Sequence, residues 1–109
     1  MTTDSVDRPE LISEIVRRVV AVAHPDKIIL FGSAARGDVR AHSDIDVLIV
    51  KSGDFHKGRL TGVIYRSLYG MDASVDVIVV KPEDIEKYRD CPYTVIRPAL
   101  REGKVVYAA

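Results

Sequence analysis

The residues in this chain best suited to chemistry are three aspartates and a Gly-Ser pair. Asp44 and Asp46 stand at the head of the apolar run Val47-Leu48-Ile49-Val50, and Gly32-Ser33 precedes them with ten residues between. On a strand, side chains alternate between faces, so Asp44 and Asp46 share one face about 7 Å apart along the chain and can grip one cation. Such hard oxygen ligands suit Mg²⁺, which takes one or two carboxylates and fills its shell with substrate phosphates and water. Asp76, a single acid near the start of the apolar run Val75-Asp76-Val77-Ile78-Val79-Val80, is the candidate third carboxylate. On a neighbouring strand it would let two ions flank a phosphoryl group during in-line transfer.

The Gly-Ser pair adds the other half of such a site. Lys27-Ile28-Ile29-Leu30-Phe31 is short, apolar and β-prone, so Gly32-Ser33 falls where a buried strand gives way to a turn. Glycine lets backbone approach a ligand closely, and a helix opening at Ser33 would aim free N–H groups at an anion. A phosphate cradle beside a Mg²⁺ site points to a nucleoside triphosphate. Arg36, in a short helix expected over Ala34-Ala35-Arg36, could reach the phosphates, because a guanidinium is always charged and pairs well with them. An arginine facing solvent or paired with Asp38 fits the sequence equally. Asp38 reads as a turn residue, since a free carboxylate aimed at phosphate would repel it, and Ser43 as a brace for the turn.

Competing motifs fail on particular residues. A P-loop needs a lysine where this chain has Asp38. An EF-hand needs a glycine and a terminal glutamate, whereas Asp46 runs straight into Val47-Leu48-Ile49-Val50. His24, His42 and His56 show no metal-site pairing and read as surface or turn residues.

The elements that must hold these groups are legible from periodicity. Met1 to Val6 reads as a frayed tail. Asp7-Arg8-Pro9-Glu10 has the form of a capping box, and Leu11, Ile12, Ile15, Val16, Val19, Val20 and Ala23 follow at helical spacing until His24-Pro25-Asp26. Beyond the Asp44 strand, Phe55 to Tyr69 carries a helical stripe that includes Tyr65 and Tyr69, better read as core or partner-facing than as stacked on a base. Gly58 and Gly62 cost this helix roughly 1 kcal/mol each against alanine. After the Val75 strand, Lys81-Pro82-Glu83-Asp84 opens a helix reaching about Arg89. Pro98 should break or kink any single helix over Tyr93 to Glu102, Gly103 caps, and Val105-Val106-Tyr107 forms a final edge strand.

Composition narrows the function classes. With 109 residues, the chain reads as one domain, and 16 basic against 16 acidic residues leave no net charge. There is no basic stripe of the kind a general nucleic-acid binder shows. No apolar stretch approaches the roughly 20 residues that span a bilayer, and the polar N-terminus is unlike a signal peptide. One cysteine, Cys91, fits a cytoplasmic setting.

Gly32-Ser33, ten residues, Asp44-x-Asp46 and the later Asp76 together resemble the signature of the DNA polymerase beta-like nucleotidyltransferase superfamily. The short chain is similar to its minimal nucleotidyltransferases, the MNT antitoxins paired with HEPN toxins. The resemblance implies an α/β (α+β) fold, a mixed sheet of about four strands packed with helices in αβαβαβαβ order. It implies ATP as substrate, two Mg²⁺ ions held by Asp44, Asp46 and Asp76, and phosphate contacts from Gly32, Ser33 and Arg36. The expected reaction moves AMP to a hydroxyl, on this resemblance a tyrosine of a partner HEPN toxin. A homodimer through the last strand is a further expectation. The alternative is an antitoxin that binds nucleotide and neutralises its partner by complex formation alone.

Overall fold

The computed structural model of the protein describes residues 9–32, 44–71 and 73–109. Asp7, expected as a helix cap, and the helix expected at residues 34–36 lie outside them. Within them the chain forms α1 (Pro9–Ala23), β1 (Lys27–Phe31), β2 (Ile45–Val50), α2 (Lys57–Ser67), β3 (Val75–Val80), α3 (Pro82–Tyr88), α4 (Ile96–Glu102) and β4 (Lys104–Ala108). This is the expected mixed sheet of four strands with helices, and its strand order is β3-β2-β1-β4. β2 and β3 run parallel, while β1 is antiparallel to both β2 and β4.

Alternation along the strands divides the core into two. Ile28, Leu30, Ile45, Val47, Ile49, Val77 and Val79 face Ile15, Val19 and Ala23 of α1 and Ile64 and Leu68 of the α2 end. Ile29, Phe31, Leu48, Val50 and Val80 face Ile96 and Ala99 of α4, with Ile85 and Tyr88 of α3 packed alongside. Both faces of β2 are therefore covered, which is why it reads as a continuous apolar run after Asp46. Each fully buried Ile, Leu or Val contributes roughly 1.5–3 kcal/mol of transfer free energy.

Polar contacts join the layers. Arg18 Nη1 donates to the carbonyls of Ser67 at 3.1 Å and Tyr69 at 3.2 Å, so a side chain of α1 satisfies backbone acceptors at the end of α2. Arg17 and Arg18 both donate to Glu14, which holds the Glu14 carboxyl down at about 2. His56, read from sequence as a surface histidine, caps α2: its Nδ1 accepts the Arg59 backbone N–H at 3.1 Å. Among the described residues no helix is long and apolar enough to cross a membrane.

The segment before β4 corrects one expectation. Pro98 does not break a helix, because α4 begins at Ile96 and places the proline in its first turn, where a missing N–H costs nothing. Gly103 does end α4, and its N–H donates to the Ala99 carbonyl at 2.9 Å. A Cβ on Gly103 would stand 2.1 Å from the Ala99 oxygen and 2.5 Å from Cγ2 of Ile29. Gly103→Ala must therefore push α4 from the sheet, and a loss of about 1–3 kcal/mol in urea unfolding is expected.

Candidate active site

Asp46 is the second residue of β2, and its neighbours follow from the sheet. Register places it opposite Phe31 of β1 on one side and Asp76 of β3 on the other. By alternation Asp46 and Asp76 share the face of Leu48, Val50, Ile78 and Val80, the face that α3 and α4 cover further along. Adjacent strands lie roughly 4.8 Å apart, so the two carboxylates are cross-strand neighbours. Asp44 lies one residue before β2, slightly short of the strand start expected for it, and is exposed.

The aspartates act on one another. Burial pushes the Asp46 carboxyl above the usual range, and the charges of Asp76 and then Asp44, with a side-chain hydrogen bond to Asp76, push it further the same way. This is the behaviour of a carboxylate lacking a counter-charge. A divalent cation between these groups would supply one. No group of three or more His, Cys, Asp or Glu side chains able to hold a metal ion occurs among the described residues. Asp46 and Asp76 are the cross-strand pair, and Asp44 stands near enough for its charge to act on Asp46; two carboxylates with phosphate oxygens and water are a donor set that Mg²⁺ accepts.

Gly32 closes the site from β1. It follows Phe31 with φ +72°, a left-handed conformation, and a Cβ there would lie 2.4 Å from Asp46 Oδ2. The absence of a side chain is what lets the Asp46 carboxylate lie against the Gly32 backbone at the end of β1. The remaining phosphate-binding candidates, Ser33 and Arg36, lie outside the described residues, as do Asp38, His42 and Ser43. The structure thus brings Gly32, Asp46 and Asp76 to one end of the sheet, with Asp44 at its lip.

The two tyrosines expected on one helical stripe stand elsewhere, Tyr65 on α2 and Tyr69 in the turn that follows it, since the helix expected to reach Tyr69 ends at Ser67. Tyr65, Arg66 and Tyr69 line an open depression of about 480 Å³ that includes none of the acids. Tyr69 is 89% exposed, whereas the Tyr65 hydroxyl accepts the backbone N–H of Val77 at 2.9 Å. Sequence reasoning paired the two tyrosines by spacing and missed this bond, for which helical periodicity carries no signal.

Known proteins resemble this arrangement. Residues 11–109 match the family model described as Polymerase beta, Nucleotidyltransferase. A Methanocaldococcus jannaschii protein, provisionally named a protein adenylyltransferase, is 38% identical over 81 residues, covering 74% of this chain and 77% of that protein. A crystal structure of a provisionally named nucleotidyltransferase from Sulfolobus solfataricus superposes with a TM-score of 0.62 at 25% identity, covering 91% of this chain and 78% of that one. A toxin–antitoxin structure with AMP-PNP gives a TM-score of 0.66 at 17% identity, covering 89% of this chain and 73% of that chain. The toxin–antitoxin pair MntA–HpeT, in mutant form, gives 0.59 at 19% identity, with 94% and 73% covered. At these lower identities the last two share the fold.

Proposed function

We propose, for a chain that belongs to the polymerase beta nucleotidyltransferase family and is a nucleotidyltransferase, that it transfers AMP from ATP to a tyrosine hydroxyl of a partner HEPN-type toxin and so acts as an antitoxin. The observation that carries this reading is the contact of Gly32 with Asp46, with Asp76 in register across from it. A turn at the end of β1 and carboxylates at the starts of β2 and β3 are what a triphosphate with Mg²⁺ requires. That the acceptor is a protein is supported by the 38% identical relative and its adenylyltransferase name. The toxin–antitoxin structures that share the fold agree with a toxin as that protein.

In the proposed reaction Gly32, Ser33 and Arg36 hold the triphosphate, and Asp44, Asp46 and Asp76 are the residues that would hold Mg²⁺. The bound ions supply charge neutralisation at the phosphates. The tyrosine oxygen attacks the α-phosphorus, its bond to the bridging oxygen breaks, and pyrophosphate leaves with that electron pair. Asp76 takes part in removing the hydroxyl proton.

Labelled ATP, Mg²⁺ and the product of the adjacent reading frame provide the test, with intact-mass spectrometry of that product as readout. A mass gain of one or more AMP units, absent with Asp46→Asn, is the expected result. A tight complex with no added mass would overturn the transfer reading in favour of neutralisation by binding alone.

A further inference from the structure

The Tyr65 hydroxyl reaches the strand that carries Asp76. Among the described residues β3 is an edge strand, bonded on one side to β2. Ile45 N–H donates to the Ser74 carbonyl at 2.9 Å and Lys51 N–H to the Val80 carbonyl at 3.0 Å. In a parallel ladder of this register, the even-numbered carbonyls of β3 therefore face β2, and its odd-numbered N–H groups face the open edge. Val77 N–H is one of these, and Tyr65 Oη accepts it at 2.9 Å. The peptide unit joining Asp76 to Val77 is thus fixed from both sides, by the β2 ladder through its carbonyl and by Tyr65 through its N–H.

Position makes this bond consequential. Asp76 is the second residue of β3, and the end of an edge strand is where ladders open first. Opening there would carry the Asp76 carboxylate away from Asp46, its cross-strand neighbour. The Tyr65 ring comes from α2, which the buried Ile64 anchors in the core on the opposite face from the acids. A rigid helix on one face of the sheet thereby holds an edge strand whose functional carboxylate lies on the other.

We infer that Tyr65 is a positioning residue for Asp76, holding the start of β3 closed so that the third carboxylate is set against Asp46 for cation binding. This rests on the proposed role of Asp76 in the site. Outer groups that orient ligands in this way are worth about 10-fold to 100-fold in metal affinity or activity.

The test compares Tyr65→Phe with Asp76→Asn and with Tyr69→Phe, the last altering an exposed tyrosine just past the end of α2. Mn²⁺ titration with a non-hydrolysable ATP analogue, amide hydrogen exchange at Val77, melting temperature, and kcat with KM for ATP are measured on the full chain. For Tyr65→Phe the expected result is about 10-fold weaker Mn²⁺ binding, at least about 10-fold faster exchange at Val77, and a lower kcat with little change in KM. Melting should shift by no more than a few degrees, and Tyr69→Phe should match the unaltered chain. Wild-type Mn²⁺ binding and turnover in Tyr65→Phe, with Asp76→Asn defective, would overturn the inference and leave the site intact. A loss of affinity only in proportion to a fall in folded fraction would overturn it equally. Unaltered binding and turnover in Asp76→Asn would remove the reading on which it rests.

Discussion

Replacing Asp46 by asparagine is expected to lower nucleotidyl transfer by about 10³-fold or more, the upper range for losing one pre-set charge-stabilising group, while raising the melting temperature by a few degrees. The two effects have one cause. Burial and the neighbouring charges of Asp76 and Asp44 raise the Asp46 carboxyl in the folded chain, so the native state binds that proton more tightly than the unfolded state does. Stability from this group is then fully present below its unfolded value of about 3.9 and declines as pH rises through the higher folded value. At neutral pH the charged side chain works against folding, and asparagine, close in shape, removes that cost. Mg²⁺ should reverse the order: with nucleotide and Mg²⁺ the unaltered chain gains melting temperature by mass action, and Asp46→Asn does not. Thermal scans in EDTA and in Mg²⁺, beside initial transfer rates, check both halves. An asparagine variant that melts lower in EDTA would contradict the electrostatic account, and one with unchanged turnover would contradict the site.

Gly32→Ala should have the second largest effect, about a 100-fold loss of transfer. An alanine at φ +72° sits in the left-handed region at a cost of roughly 1–2 kcal/mol, and its Cβ would meet Asp46 Oδ2 at 2.4 Å. The carboxylate must swing away or the turn must open, and either displaces a reacting group on the ångström scale that costs about 100-fold in rate. Because the damage runs through Asp46, combining Gly32→Ala with Asp46→Asn should lower transfer little beyond Asp46→Asn alone. Full additivity of the two losses would show that Gly32 acts on the phosphates independently of Asp46.

The apolar runs at Ile28, Val47 and Val77 announced β1, β2 and β3, because strands covered on both faces need unbroken hydrophobic stretches. The stripe from Leu11 to Ala23 announced α1 for the matching reason at helical period. Asp46 and Asp76 stand out in the sequence only together with Gly32-Ser33, because an acid at the head of such a run is by itself common. What sequence could not supply were relations across the chain. The pairing of Phe31 with Asp46 makes Gly32 the floor beneath a carboxylate, and nothing local to either residue encodes it. The Tyr65 bond to Val77 and the His56 cap on α2 were hidden in the same way, being single polar contacts with no periodic trace. Pro98 was misjudged because the effect of a proline depends on where a helix begins, and α4 starts only two residues before it.

The pairing of β1 with β4 bears on how the chain is made. Lys27 to Leu30 find their partners among Lys104 to Ala108, and Ala109 N–H donates to the Asp26 carbonyl at 2.9 Å. During synthesis the strand that ends at the Gly32 turn therefore waits, with one backbone edge unpaired, until almost all of this sequence has left the ribosome. Contacts so distant in sequence form late and slowly, and an open apolar strand can meanwhile join another nascent chain. Gly103 alone separates α4 from β4, so the last strand must pair as soon as α4 packs on the sheet or leave that edge open.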